Sequence, residues 1–182
     1  MKINTILATT ALTMLCLGSA ASSIAATKAE IDQRVAATVT EFNALSPANE
    51  SLGKKAAGML VFPKVTKGGV GVAGEYGEGA LQVAGKTVGY YSIAAASVGL
   101  TLGLAKHSEI IMFMTQESLN KFTASDGWAI GADAGITVVS MAASGEYDSK
   151  TQQKPILAFA FAEKGLIGDL SLEGSKISKI KE

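Results

Sequence analysis

One cysteine, one histidine and a formal net charge of zero leave this 182-residue sequence little material for several kinds of chemistry. Cys16 lies inside an N-terminal apolar run, so a chain processed beyond it has no disulfide and no thiol. With His107 the sole histidine, a metal cluster built from several histidines is excluded. Zero net charge argues against a nucleic-acid partner held by overall positive charge, because phosphate neutralisation needs an excess of Lys and Arg. No nucleophile-elbow sequence GxSxG occurs near Ser92, Ser97 or Ser108, and Asp126 and Asp133 lie further along. Gly69-Val70-Gly71-Val72-Ala73-Gly74 has the spacing GxGxxG. The residues that follow, Glu75-Tyr76-Gly77-Glu78-Gly79, cannot open the helix whose N-terminus would face a pyrophosphate, so no nucleotide cofactor is expected. His107 reads as a strand-end surface residue. Glu75, Glu78 and Asp133 read as solvated acids of turns and edges, unless strands bring them together. Nothing in the residues points to catalysis, a cofactor or a resident metal.

What the sequence has in quantity is apolar residues (48%) and glycine (20). That apolar share supports a substantial core, and the length suggests one domain. Lys2, the apolar stretch Ile6 to Leu17 and the small-x-small triplet Ser23-Ile24-Ala25 form the pattern of a cleaved signal peptide over 1–25. The stretch is too short for a mature membrane span. The mature chain is then expected to be 26–182, a single exported domain in the periplasm or outside the cell.

Thr27 to Leu45 reads as a helix, with Ile31, Val35, Val39 and Phe42 in one stripe. Ser46 and Pro47 suit the N-cap and first position of a second helix, with Gly58 as its stop. Met59 to Phe62 reads as a short strand ended by Pro63. From Gly68 to His107 glycines punctuate alternating large and small residues, which predicts three or four antiparallel strands. Val98 to Ala105 is one of the alternating runs, and Gly77-Glu78-Gly79 and Gly85-Lys86 are turn signals. Glu109 to Met114 is apolar on both parities and predicts a strand buried on both faces. A helix is expected over 115–124, a long strand or hairpin over 128–142, and a polar loop over 145–154. Strands are expected over 157–162 and 165–172, with a short strand or frayed tail at 174–182. The fold class is α+β: N-terminal helices on a dominant antiparallel, glycine-rich sheet, open or curled into a barrel.

Lys54, Lys55, Lys64 and Lys67 fall within fourteen positions among apolar residues. An anionic membrane attracts such clusters, at about 1 kcal/mol per basic residue. Their plainer reading is a solvated face, with Lys54 and Lys55 also suiting the dipole of a helix C-terminus. Tyr90, Tyr91, Trp128 and Tyr147 suit a lipid–water boundary, whereas Trp128, beside a turn, is more naturally a core anchor.

Four segments carry a family resemblance: AAGMLVFPKVTKGGVGVAGEYGEGAL (56–81), GYYSIAAASVGLTLGLAKHSEIIMFM (89–114), LNKFTASDGWAIGADAGITVV (119–139) and EKGLIGDLSLEGSKISKI (163–180). In that order and spacing the chain resembles the SYLF family, also called the Ysc84 or DUF500 family, in its bacterial secreted form. The resemblance implies a non-catalytic module that binds lipid or membrane, with anionic phospholipid as the expected partner. Lys54, Lys55, Lys64 and Lys67, together with adjoining apolar surface, are the expected lipid-binding residues. The alternative is a structural or protein-interaction module of the cell envelope.

Overall fold

The computed structural model describes residues 26–70, 72–98, 103–125, 127–130, 135–139, 147–162, 165–166 and 174–181. The 1–25 segment read as a signal peptide therefore lies outside the described residues, as do Asp126, Asp133, 140–146 and 167–173. Helix α1 (Lys28–Leu45) begins in a capping box: Thr27 Oγ1 accepts from the Glu30 amide at 3.3 Å, and Glu30 Oε2 accepts from the Thr27 amide at 2.8 Å. Ile31, Val35, Thr38 and Phe42 are its buried residues. Helix α2 (Pro47–Lys55) follows, with Ser46 Oγ accepting from the Ala48 amide at 3.2 Å. It stops at Lys55, not at the expected Gly58. Ala56 closes it by donating its amide to the Leu52 carbonyl, and Gly58 opens the first strand.

Four long strands make the frame: β1 (Gly58–Val70), β2 (Val72–Val83), β3 (Lys86–Val98) and β4 (Gly103–Phe113). They are followed by α3 (Gln116–Thr123), β5 (Gly127–Ala129), β6 (Thr137–Val138), α4 (Ser149–Gln152), β7 (Ile156–Ala162), β8 (Gly165–Leu166) and β9 (Lys176–Lys179). The order across the sheet is β5-β9-β3-β2-β1-β4-β7-β6, with β8 paired to β7. Among the described residues all pairs are antiparallel except β6–β7. The fold is α+β, and the sheet curls into a half-barrel.

Several sequence expectations are corrected. Pro63 does not end the first strand; β1 runs through it, and the pairing with both neighbours slips there, so the missing amide falls at a bulge. Gly77-Glu78-Gly79 is no turn but mid-β2. A Cβ at Gly79 would sit 2.0 Å from the Val61 carbonyl oxygen, so this glycine serves the close approach of the bulged strand. The turn at Gly85 is present. Ala84 and Gly85 both have positive φ, as a two-residue hairpin of this hand requires. Val98 to Ala105 is not one strand: Val98 ends β3 beside β2, and Gly103 starts β4 beside β1. Of the long strand or hairpin expected over 128–142, the described residues hold β5 and β6, which do not pair with each other but lie at opposite edges of the sheet. The polar loop contains α4, capped by Asp148. Of the strand expected over 165–172, Gly165 and Leu166 form β8. The 174–182 segment holds β9, a strand inside the sheet that pairs with both β3 and β5.

The two sheet faces have separate cores. Against α1 and α2 lie Val61, Ala80, Ile110, Met112, Leu157, Phe159 and Phe161. Against α3 lie Leu60, Phe62, Leu81, Tyr91, Ile93, Ile111 and Phe113, with Phe122 and Trp128 closing over them. Glu109 to Phe113 is thus buried on both faces as expected, and so are both parities of β7 up to Phe161.

Candidate functional site

Alternation along β1 separates the candidate lysines. Lys54 and Lys55 end α2; Lys54 Nζ pairs with Glu50 Oε1 at 2.7 Å on the exposed helix surface, the (i, i+4) arrangement that steadies a helix. Lys64 lies beyond the bulge on the α1 side of the sheet, six residues from Gly58, which is roughly 20 Å of strand. Lys67 emerges on the opposite face, where its Nζ is 3.9 Å from Glu75 Oε2. The four lysines therefore do not gather at one place.

Other cations join Lys64 instead. A cleft of about 190 Å³ beside the start of α1 is lined by Ile31, Arg34, Lys64, Thr66, Tyr76 and Glu78 among others. A second, of about 490 Å³, is lined by Glu41, Lys64, Lys106, His107, Ser108 and Phe161 among others. Lys64 borders both. Thr66 pairs with Lys106 across β1 and β4, so Lys64 and Lys106 are diagonal neighbours on one face. Arg34, Lys64 and Lys106 are all exposed. Tyr76, 53% exposed, stands beside them and donates its hydroxyl to Glu78 Oε1 at 2.9 Å. Burial first, and then that bond to Glu78, hold the Tyr76 hydroxyl above its usual pKa. Sequence reasoning missed Arg34 and Lys106 because neither is near Lys64 in the chain; the strand register and the position of α1 bring them in.

The aromatic residues divide differently from the interfacial reading. Trp128 is a core anchor, 5.2 Å from Phe122 and 5.8 Å from Phe113 between ring centroids. Tyr91 and Tyr147 are buried too, and burial pushes the Tyr147 hydroxyl up to about 12. Tyr147 donates to Asn49 Oδ1, whose amide nitrogen donates to the Phe42 carbonyl at 2.7 Å. Tyr90 is half-buried and bonds Asp32 Oδ2 at 2.9 Å.

The second constellation lies on the face that α3 covers, at the glycine-rich end. His107 is mid-strand and buried, not a surface residue at a strand end. Its Nε2 is 2.7 Å from Glu109 Oε1 and 3.7 Å from Glu75 Oε1. Glu75 and Glu109 are themselves buried. Burial, then the nearby Glu109 carboxylate, raise the Glu75 pKa; His107 and Lys67 pull the other way and do not prevail. Glu75 and Glu78 alternate to opposite faces of β2, so the acid that joins Glu75 is Glu109. Ser108 points away from His107 and donates to the Pro63 carbonyl at 2.9 Å. A buried partner for Glu75 was hidden from sequence reasoning because β2 and β4 meet only through β1.

The architecture and its two polar sites define a small α+β module with clefts on one face and an ionisable cluster within the other. Residues 94–182, just under half of the chain, match the model of the Ysc84 family, described as Las17-binding protein actin regulator. This is a family of binding domains. No match to a curated protein was found. The matched stretch contains His107, Glu109 and Lys106. Lys54, Lys55, Lys64, Lys67 and Glu75 precede it.

Proposed function

We propose that this protein is a non-catalytic, exported module that binds anionic phospholipid, with Lys64, Arg34 and Lys106 receiving the headgroup. The observation that carries the reading is the convergence of these three exposed cations on two adjoining clefts beside the exposed ring of Tyr76. Phosphate oxygens accept charge-assisted hydrogen bonds from such groups, and a tyrosine ring suits the lipid boundary. Glu78 lines the first cleft and Glu41 the second, so neither is lined by cations alone. Lys54 and Lys55, at the other end of β1, are a second point of electrostatic contact, while Lys67 faces away from this surface.

Export is supported by one contact. The Ala26 nitrogen lies 3.2 Å from Glu78 Oε2. Cleavage after Ala25 turns that nitrogen into an α-ammonium, and the hydrogen bond becomes an ion pair. The family's description supports a binding role, and a protein partner in the envelope is the second reading it favours.

Co-flotation of the processed protein, beginning at Ala26, with neutral and anionic vesicles tests the reading. Binding to anionic vesicles alone, lost at high salt and lost in Lys64→Glu combined with Lys106→Glu, is the expected result. Absence of binding to every vesicle would transfer the module to a protein partner.

A further inference from the structure

Glu75, His107 and Glu109 each offer one ligand atom, and these atoms all lie within 4.8 Å of one another. The side chains come from strands that flank β1: Glu75 sits opposite Lys67, and His107 opposite Val65. Three paired strands hold them with little freedom, as a preorganised site requires. Glu109 is 1% exposed, and its Oε2 has no hydrogen-bond partner among the described residues. A buried carboxylate oxygen without a partner is costly, since that atom has surrendered water and received nothing in its place. Two carboxylates in one buried place add mutual repulsion. Lys67 offsets part of this, but at 3.9 Å from Glu75 and about a third exposed it is a loose partner. The chemistry of the place asks for a compact cation.

We propose that Glu75, His107 and Glu109 bind one divalent transition-metal ion, with Zn²⁺ as the representative case. One imidazole nitrogen with two carboxylate oxygens is a donor set that suits zinc and manganese, whereas magnesium and calcium prefer oxygen ligands throughout. Metal–ligand bonds of about 2.0–2.2 Å place neighbouring donors roughly 3–3.5 Å apart. His107 Nε2 and Glu75 Oε1, at 3.7 Å, are close to that spacing already. Glu109 Oε1, at 2.7 Å from Nε2, must draw back by less than about 1 Å, which leaves the imidazole lone pair to the metal. The ion gives Glu109 the partner it lacks. Lys67 is then displaced by charge repulsion toward solvent along its flexible stem, which makes it an internal competitor of the metal. His107 also lines the larger cleft, but the site uses none of the cations assigned to the headgroup and does not depend on the lipid reading.

The test uses the intact protein, stripped with chelator and titrated calorimetrically with Zn²⁺, Mn²⁺, Mg²⁺ and Ca²⁺ at pH 7. One Zn²⁺ should bind per chain and raise the melting temperature, with Mg²⁺ and Ca²⁺ weaker. Glu109→Gln, near-isosteric and chosen to preserve the fold, and His107→Ala should each weaken Zn²⁺ by at least about tenfold. Lys67→Ala retains every ligand and should tighten it. Zinc binding that survives both ligand variants, or that ignores Lys67→Ala, overturns the proposal. So does a wild-type melting temperature that Zn²⁺ leaves unmoved, the result expected if the two carboxylates are satisfied by a shared proton.

Discussion

Along one face of β4 two halves of the same strand behave in opposite ways. Phe113 and Ile111 enter a dry core, where Phe113 stacks on Phe122 at 4.9 Å and Trp128 closes the edge. Two and four residues earlier on the same face, Glu109 and His107 are equally buried but polar. The apolar half gains stability from every contact. The polar half holds ionisable groups that the fold satisfies incompletely, Glu109 Oε2 above all. A domain tolerates such a place where function has use for it. The face covered by α1 and α2 offers a third case: the buried Asn49–Tyr147 pair, which is polar and satisfied.

The largest effect is expected at the dry end. Phe122→Ala removes a ring that touches Tyr91, Phe113 and Trp128, and should cost about 3–5 kcal/mol in urea unfolding. A loss under about 1 kcal/mol would mean that α3 is not a structural lid. Next comes Tyr147→Phe, which leaves Asn49 Oδ1 buried without its donor and should cost about 1–3 kcal/mol at neutral pH. The same variant has a pH signature. The Tyr147 hydroxyl is raised from the ordinary 10 to about 12 by burial, so the fold favours its neutral form. The stability it contributes is complete below pH 10 and is lost as pH rises through about 12. Melting curves of Tyr147→Phe should therefore fall less steeply than wild type across that window; parallel curves would contradict the burial of the hydroxyl. The smallest effect, and of opposite sign, belongs to Glu75→Gln. Burial and the Glu109 carboxylate disfavour the charged Glu75, so in chelator at pH 7 this variant should melt slightly above wild type. A clear drop would show that the ion pairs with Lys67 and His107 prevail over desolvation.

Periodicity made most of the elements readable in the sequence. The α1 stripe, the α3 cap at Thr115 and the doubly buried run from Ile110 to Phe113 follow from residue type and spacing alone. Glycine was the weak point, because its two uses look alike in one dimension. Gly85 marks a turn with positive φ, whereas Gly79 makes room for the Val61 carbonyl across the β1 bulge. Gly58 was misread for the same reason: a Cβ there would press on Leu119 at 2.9 Å, a contact between residues sixty-one positions apart. Of the basic site, Lys64 was legible and its companions Arg34 and Lys106 were not.

By itself, then, the sequence determined most of the helices and long strands, that the run from Ile110 to Phe113 is buried on both faces, and the family pattern. These depend on side-chain alternation and local capping, whose range is a few residues. Only the tertiary structure decided that β3 and β4 lie on either side of the β2–β1 pair, that β9 enters the sheet, and that Lys64 and Lys67 face apart. Register across strands also placed Glu75 against His107 and Glu109. A pairing across an intervening strand depends on the bulge at Pro63 and on which edges remain free, and neither is a property of any one stretch of chain.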